Sequence, residues 1–180
     1  MRQRNFLTVE EWFFWLYANL GMAHAAIKEG HEKYERIDFI IRERLYSGLK
    51  NGTMRITSVY EDEKYKLNHV KCAYCGRTEC LTMDHLVSKY NGGADGGDNL
   101  VYACKSCNSS KNKRDLLEWY ARKEEFPPIL VLRRYMKLAY SYFGSNGFLN
   151  MPYTELKDCC NLFRLDLLPG KFPSPKDLIL

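Results

Sequence analysis

From Cys72 to Arg114 the chain reads CAYCGRTECLTMDHLVSKYNGGADGGDNLVYACKSCNSSKNKR. Two Cys-x-x-Cys turns, Cys72/Cys75 and Cys104/Cys107, bracket it, with 28 residues between them. Zinc takes four thiolates tetrahedrally at about 2.3 Å in structural sites, and each such turn offers two sulfurs from one tight bend. Two turns close the tetrahedron if the chain between them folds back as a hairpin. Residues 81–90 (LTMDHLVSKY) and 99–104 (NLVYAC) read as strands, and the NGGADGG between them as a glycine loop suited to positive φ and close backbone approach. All four positions of the metal are then filled by thiolates, so this zinc holds the fold and leaves no open site for chemistry. It also ties the end of the hairpin to the start of the following helix, which fixes Asn108 relative to His85.

The residues inside this frame suit phosphodiester hydrolysis. That reaction needs a base to deprotonate water, a cation to neutralise charge on the phosphate and leaving oxygen, and a scaffold that aligns both. His85 is the candidate base, since histidine is the side chain whose charge change falls near neutral pH. Asp84 precedes it on the expected strand, so the two side chains should point to opposite faces unless a bulge or irregular turn intervenes. Asn108 and Asn112 are four apart on an expected helix and share a face with Lys111 beside them. Carboxylate and amide oxygens are hard ligands that suit Mg²⁺ or Mn²⁺.

The run DHLVSKYNGGADGGDNLVYACKSCNSSKNKR resembles the HNH endonucleases, whose active site is a ββα-metal fold. The spacing agrees: fourteen from His85 to Asn99 and nine from Asn99 to Asn108. The resemblance implies that His85 is the general base and Asp84 a ligand of the catalytic metal. It implies that Asn99 braces the loop and orients the base through backbone hydrogen bonds, and that Asn108 binds the metal. The family's last position is His or Asn, and Asn108 moves the expectation towards magnesium. Asn112 aligns with a third ligand found in some members. Lys111 falls where the family is often basic, with phosphate contact as its implied role. The implied products carry 5′-phosphate and 3′-hydroxyl ends, and the implied substrate is DNA, with RNA second. The resemblance covers roughly residues 70–123.

The rest of the chain reads as helical. Residues 8–28 form an expected helix, with Thr8 and Glu11 as a capping box and Trp12, Trp15, Leu16, Leu20, Ala23 and Ile27 on one face. A second helix is expected over 31–49, with Tyr34, Ile37, Ile41 and Leu45 on one side and Asn51-Gly52 as its stop. Residues 53–60 alternate as a strand, and 61–66 read as an exposed turn. Helices are expected over 108–123, with Leu116, Leu117 and Tyr120 inward, and over 129–143 after Pro127-Pro128. The tail from 144 to 180 adds a short helix near 153–164 and a proline-rich end. The fold class is therefore α+β: an N-terminal helical hairpin plus short strand (1–60), a zinc-clamped ββα-metal (HNH) core (68–125) and a C-terminal helical extension (126–180).

Composition bounds the partners. The net charge is +5, and between Lys105 and Lys137 nine bases face four acids, which favours a polyanion. Four of seven cysteines fall in the two turns, which with no secretion signal suits metal binding in a reducing cytoplasm. Of the others, Cys80 reads as a small buried residue, and Cys159-Cys160 carries no assigned chemistry. The longest apolar stretch, Trp12 to Ile27, is too short to span a bilayer. One ββα site cuts one strand, so a homodimer, with the aromatic N-terminal hairpin as a candidate interface, would supply the second site. Two other readings compete with a nuclease active on its own: a non-catalytic nucleic-acid-binding zinc module, and a nuclease effector of a defence, toxin or restriction system awaiting a partner protein.

Overall fold

The structure is a computed structural model that describes residues 5–56, 70–156, 162–168 and 171–180. Among these residues it has five α-helices and one two-stranded antiparallel sheet. They follow one another as α1 (Val9–Lys28), α2 (Arg36–Lys50), β1 (Leu81–His85), β2 (Leu100–Cys104), α3 (Lys105–Lys111), α4 (Leu116–Arg122) and α5 (Ile129–Ser145). The fold is thus α+β, with the ββα unit set between helices at both ends. No helix among the described residues is long and apolar enough to cross a membrane.

Helix α1 starts where Thr8 accepts a hydrogen bond from the Glu11 amide at 3.2 Å. The Glu11 carboxylate reaches past Thr8 to the Leu7 amide at 2.9 Å, completing the cap one residue further out. The expected face is inward: Trp12, Leu16, Leu20 and Ala23 are all buried, and Phe13 joins them. Phe13 lies edge-on to Tyr140 and Phe143 of α5, with ring centroids 5.5 and 5.2 Å apart, so the chain's first and last long helices share one aromatic core. α2 begins at Arg36, five residues later than its spacing suggests. Asp38 sets that start, accepting from the Glu35 amide at 2.8 Å while pairing with His31. Ile37, expected inward, is exposed, and Asp38, Tyr46 and Leu49 are buried in its stead. Residues 53–56 are not a strand; the remainder of that expected strand, the 61–66 turn, Cys159-Cys160 and the middle of the 153–164 helix (157–161) lie outside the described residues, and of that helix Tyr153–Glu155 form a 3-10 turn.

Strands β1 and β2 pair in unbroken register from Leu81 opposite Cys104 to His85 opposite Leu100. β1 stops at His85 instead of running to residue 90, because Asn99 takes over the backbone beyond it. The expected helix over 108–123 is two helices. Asn112 adopts φ +52° and ends α3, and Asp115 caps α4 by accepting from the amides of Leu117 (2.8 Å) and Glu118 (3.3 Å). Its second carboxylate oxygen accepts from Tyr135 of α5, which joins the ββα unit to the C-terminal helix. Burial pushes the Asp115 carboxyl above its ordinary range, and these donors oppose that shift. Leu116, Leu117 and Tyr120 are buried as expected.

Candidate active site

The four cysteines converge. Their sulfurs all lie within 4.8 Å of one another, and Cys75 Sγ and Cys104 Sγ are 3.7 Å apart. A zinc tetrahedron with 2.3 Å bonds has edges of roughly 3.8 Å, so the spacing fits the ion. The first turn closes through Gly76 at φ +78°, whose amide donates to Cys72 O at 2.8 Å, and it is tied to β2 by Ala73 N donating to Tyr102 O at 2.7 Å. The second turn opens α3. Hydrogen bonds from the Ser106 hydroxyl and the Cys107 amide hold the Cys104 thiol down to about 6, which favours the thiolate, while burial pushes the Cys107 thiol up. Cys80, expected to be buried, is exposed, with φ +50°, and stands outside the cluster.

The hairpin and α3 bring Asp84, His85, Asn108 and Asn112 to one open cleft of about 640 Å³, rimmed by Ser88, Lys89, Tyr90, Ser109 and Lys113. No bulge is needed for Asp84 and His85 to share it. The strand ends at His85, and the chain turns away immediately afterwards. Asp84 is almost fully buried; its Oδ2 accepts from the Tyr74 hydroxyl at 2.6 Å and pairs with Lys111 Nζ at 3.1 Å. Asn108 Nδ2 donates to Thr82 Oγ1 at 3.1 Å, which holds the amide against β1. Asn112 has left the helix, so it reaches the cleft from the turn after α3 and not from a face shared with Asn108.

His85 is part-exposed, and its Nε2 lies 2.9 Å from Asp95 Oδ1. Lys89 donates to the other oxygen of Asp95 at 2.6 Å, and these two partners, Lys89 first, hold the Asp95 carboxyl below its usual range. Asn99 is buried and makes three backbone bonds. Its Oδ1 accepts from Val87 N at 2.8 Å, and its Nδ2 donates to Val87 O at 2.7 Å and to Ala94 O at 2.8 Å. One amide therefore ties the chain before the glycine loop, and Ala94 within it, to the start of β2. Gly93 allows the closure: a Cβ there would sit 2.1 Å from Val87 O. Arg134 of α5 pins the far side of the loop, donating to Asp98 O at 2.8 Å and Gly97 O at 3.1 Å.

Two expectations change. Lys111 is fully buried, and its ammonium donates to His85 O at 2.8 Å as well as pairing with Asp84. It lies beneath the cleft, so it supports the two residues above it and does not offer its charge to phosphate on the open face. The basic segment is likewise thinner at the surface than its charge count, because Lys111, Arg134 and Lys137 are all buried. Tyr74 and Asp95 are the contacts that spacing did not reveal. Asp95 is a lone acid among glycines, and Tyr74 lies inside a turn already explained by its cysteines.

A match to the family model of HNH endonucleases runs over residues 72–114, from the first cysteine of the first turn to Arg114 at the close of the ββα unit. No curated protein matches the chain. The thiol cluster, the strand–strand–helix order and the family match coincide over residues 72–114, a segment similar to the HNH endonucleases, which suggests a nuclease family and is carried between helices at both ends.

Proposed function

We propose that this chain is a metal-dependent HNH endonuclease that hydrolyses phosphodiester bonds of DNA, leaving 5′-phosphate and 3′-hydroxyl ends. The observation that carries the reading is the convergence of Asp84, His85 and Asn108 on one open cleft of a ββα unit that also gathers four thiols. The residues fit the metals expected of them. Four thiols suit structural Zn²⁺, and a carboxylate and an amide at a water-accessible cleft suit Mg²⁺ or Mn²⁺, with waters completing the shell. Asp84 and Asn108 would hold that ion, with Asn112 at the cleft edge as a third oxygen donor. A bound divalent ion supplies neutralisation of charge on the scissile phosphate and the departing 3′ oxygen.

The protein's own groups do the rest. His85 takes the proton from the attacking water. Asn99 fixes the backbone just beyond His85 and within the glycine loop, so the imidazole is presented in one place. Lys111 ties the carbonyl of His85 to the carboxylate of Asp84, keeping base and metal ligand at a constant offset. Lys113 at the rim offers exposed charge to the nucleic-acid backbone, while Lys89 is paired with Asp95, so binding should weaken as salt rises.

The test is cleavage of supercoiled, linear and single-stranded DNA by purified protein. Nicking with Mg²⁺, none with EDTA, and a loss of about 10²–10⁴-fold in His85→Ala at unchanged zinc content support the reading. Normal cutting by His85→Ala refutes the base assignment. DNA binding without cleavage on any substrate identifies the chain as a non-cutting zinc module.

A further inference from the structure

We propose that Tyr74, carried by the first cysteine turn, is a positioning residue for the catalytic metal ion, so that the zinc site sets the affinity of the second metal site. The inference rests on the reading of Asp84 as a ligand of that ion.

Two donors converge on one oxygen of Asp84. The Tyr74 hydroxyl donates to Oδ2 at 2.6 Å, and Lys111 Nζ lies 3.1 Å from the same atom. With Oδ2 capped twice, Oδ1 is the oxygen left for an ion, and the carboxylate is presented as a single-oxygen ligand. Tyr74 is itself held from several sides. Cys72 and Cys75 flank it, its carbonyl accepts from the Tyr120 hydroxyl at 3.3 Å, and its ring meets the edge of Trp119 at 5.1 Å. Its neighbour Ala73 is bonded to β2. The hydroxyl is therefore fixed by the same turn that offers two of the four thiolates.

Without that hydroxyl, Lys111 is the only one of the two donors left, and the carboxylate is free to rotate and share both oxygens with the buried ammonium. That rotation competes with ion binding. Mg²⁺ demands near-octahedral geometry and tolerates misplaced ligands poorly. Groups that orient a metal's ligands are typically worth 10–100-fold in affinity.

The experiment is Mn²⁺ binding to the zinc-loaded full chain, read by electron paramagnetic resonance in the absence of nucleic acid. Tyr74→Phe keeps the ring packing and removes only the O–H. The expected result is unchanged zinc content with Mn²⁺ affinity lowered about tenfold or more. Tyr120→Phe, which leaves the Tyr74 hydroxyl in place, should change the affinity much less. Equal Mn²⁺ affinity in the parent protein and Tyr74→Phe overturns the inference alone. A parent protein that binds no Mn²⁺ overturns the reading of Asp84 and the inference with it. Should Tyr74→Phe not fold, a single 3-fluorotyrosine at position 74 of the native chain decides the matter. Its fluorine resonance should move in step with Mg²⁺ saturation, and a fixed resonance while the ion binds overturns the proposal.

Discussion

The ββα segment and the helices around it are made rigid by different physics. The helical frame is an aromatic core, with Phe13 against Tyr140 and Phe143 and Trp15 edge-on to Tyr46 at 5.5 Å. Its stability comes from apolar area withdrawn from water. The segment from Cys72 to Lys111 buries few large apolar side chains and is held by directed contacts: four converging thiols, the three hydrogen bonds of the Asn99 amide, and the Tyr74–Asp84–Lys111 cluster. Directional bonds fix atoms to fractions of an ångström, which in-line chemistry requires, whereas apolar packing tolerates small shifts. The candidate site sits where directed bonds dominate, and the frame supplies the bulk that so small a unit lacks.

The largest test of this contrast is removal of one thiol of the proposed zinc site. Zinc binding in comparable four-ligand sites is worth roughly 10 kcal/mol or more, comparable to the stability of an entire domain. Cys104→Ser should lose zinc and lose hydrogen-exchange protection over residues 72–111, while α1 and α5 keep theirs. Retained protection in the segment would erase the distinction.

Phe13→Ala attacks the other side. It should destabilise the protein by about 3–5 kcal/mol in denaturant unfolding, with zinc stoichiometry unchanged in the folded fraction. Asn99→Ala probes the segment without touching metal. It strands the amide and carbonyl of Val87, and a loss of about 2–3 kcal/mol is expected, with faster exchange confined to residues 86–94.

The smallest effect is expected at the frame's surface. Bonds from the Leu7 amide and then Lys50 lower the Glu11 carboxyl to about 2, from an ordinary 4.5. A folded-state value below the unfolded one means that the carboxylate stabilises fully above pH 4.5 and loses that contribution as pH falls towards 2. Glu11→Gln should flatten acid unfolding in this window and cost about 1 kcal/mol at neutral pH.

The four-thiol cluster and the family match were legible in the chain because their signals are local: cysteine pairs at fixed spacing, with His85, Asn99 and Asn108 at matching intervals between and beyond them. What escaped depends on contacts distant in sequence. β1 stops at His85 because Asn99, twelve residues beyond Val87, captures the Val87 backbone. Lys111 is buried because His85 O and Asp84 lie over it, and Arg134 because the glycine loop needs a donor. The break at Asn112 had a readable sign, since Asp115 with Glu118 three residues on marks a fresh helix start. The outward turn of Ile37 had no such sign, as Asp38 is drawn inward by His31 and the Glu35 amide.

The most direct test of the account is anomalous diffraction at the zinc and manganese edges from crystals grown with Mn²⁺. One zinc peak among Cys72, Cys75, Cys104 and Cys107, and one manganese peak against Asp84 and Asn108 beside His85, is the predicted result. Manganese elsewhere, or no zinc between the four sulfurs, would contradict it.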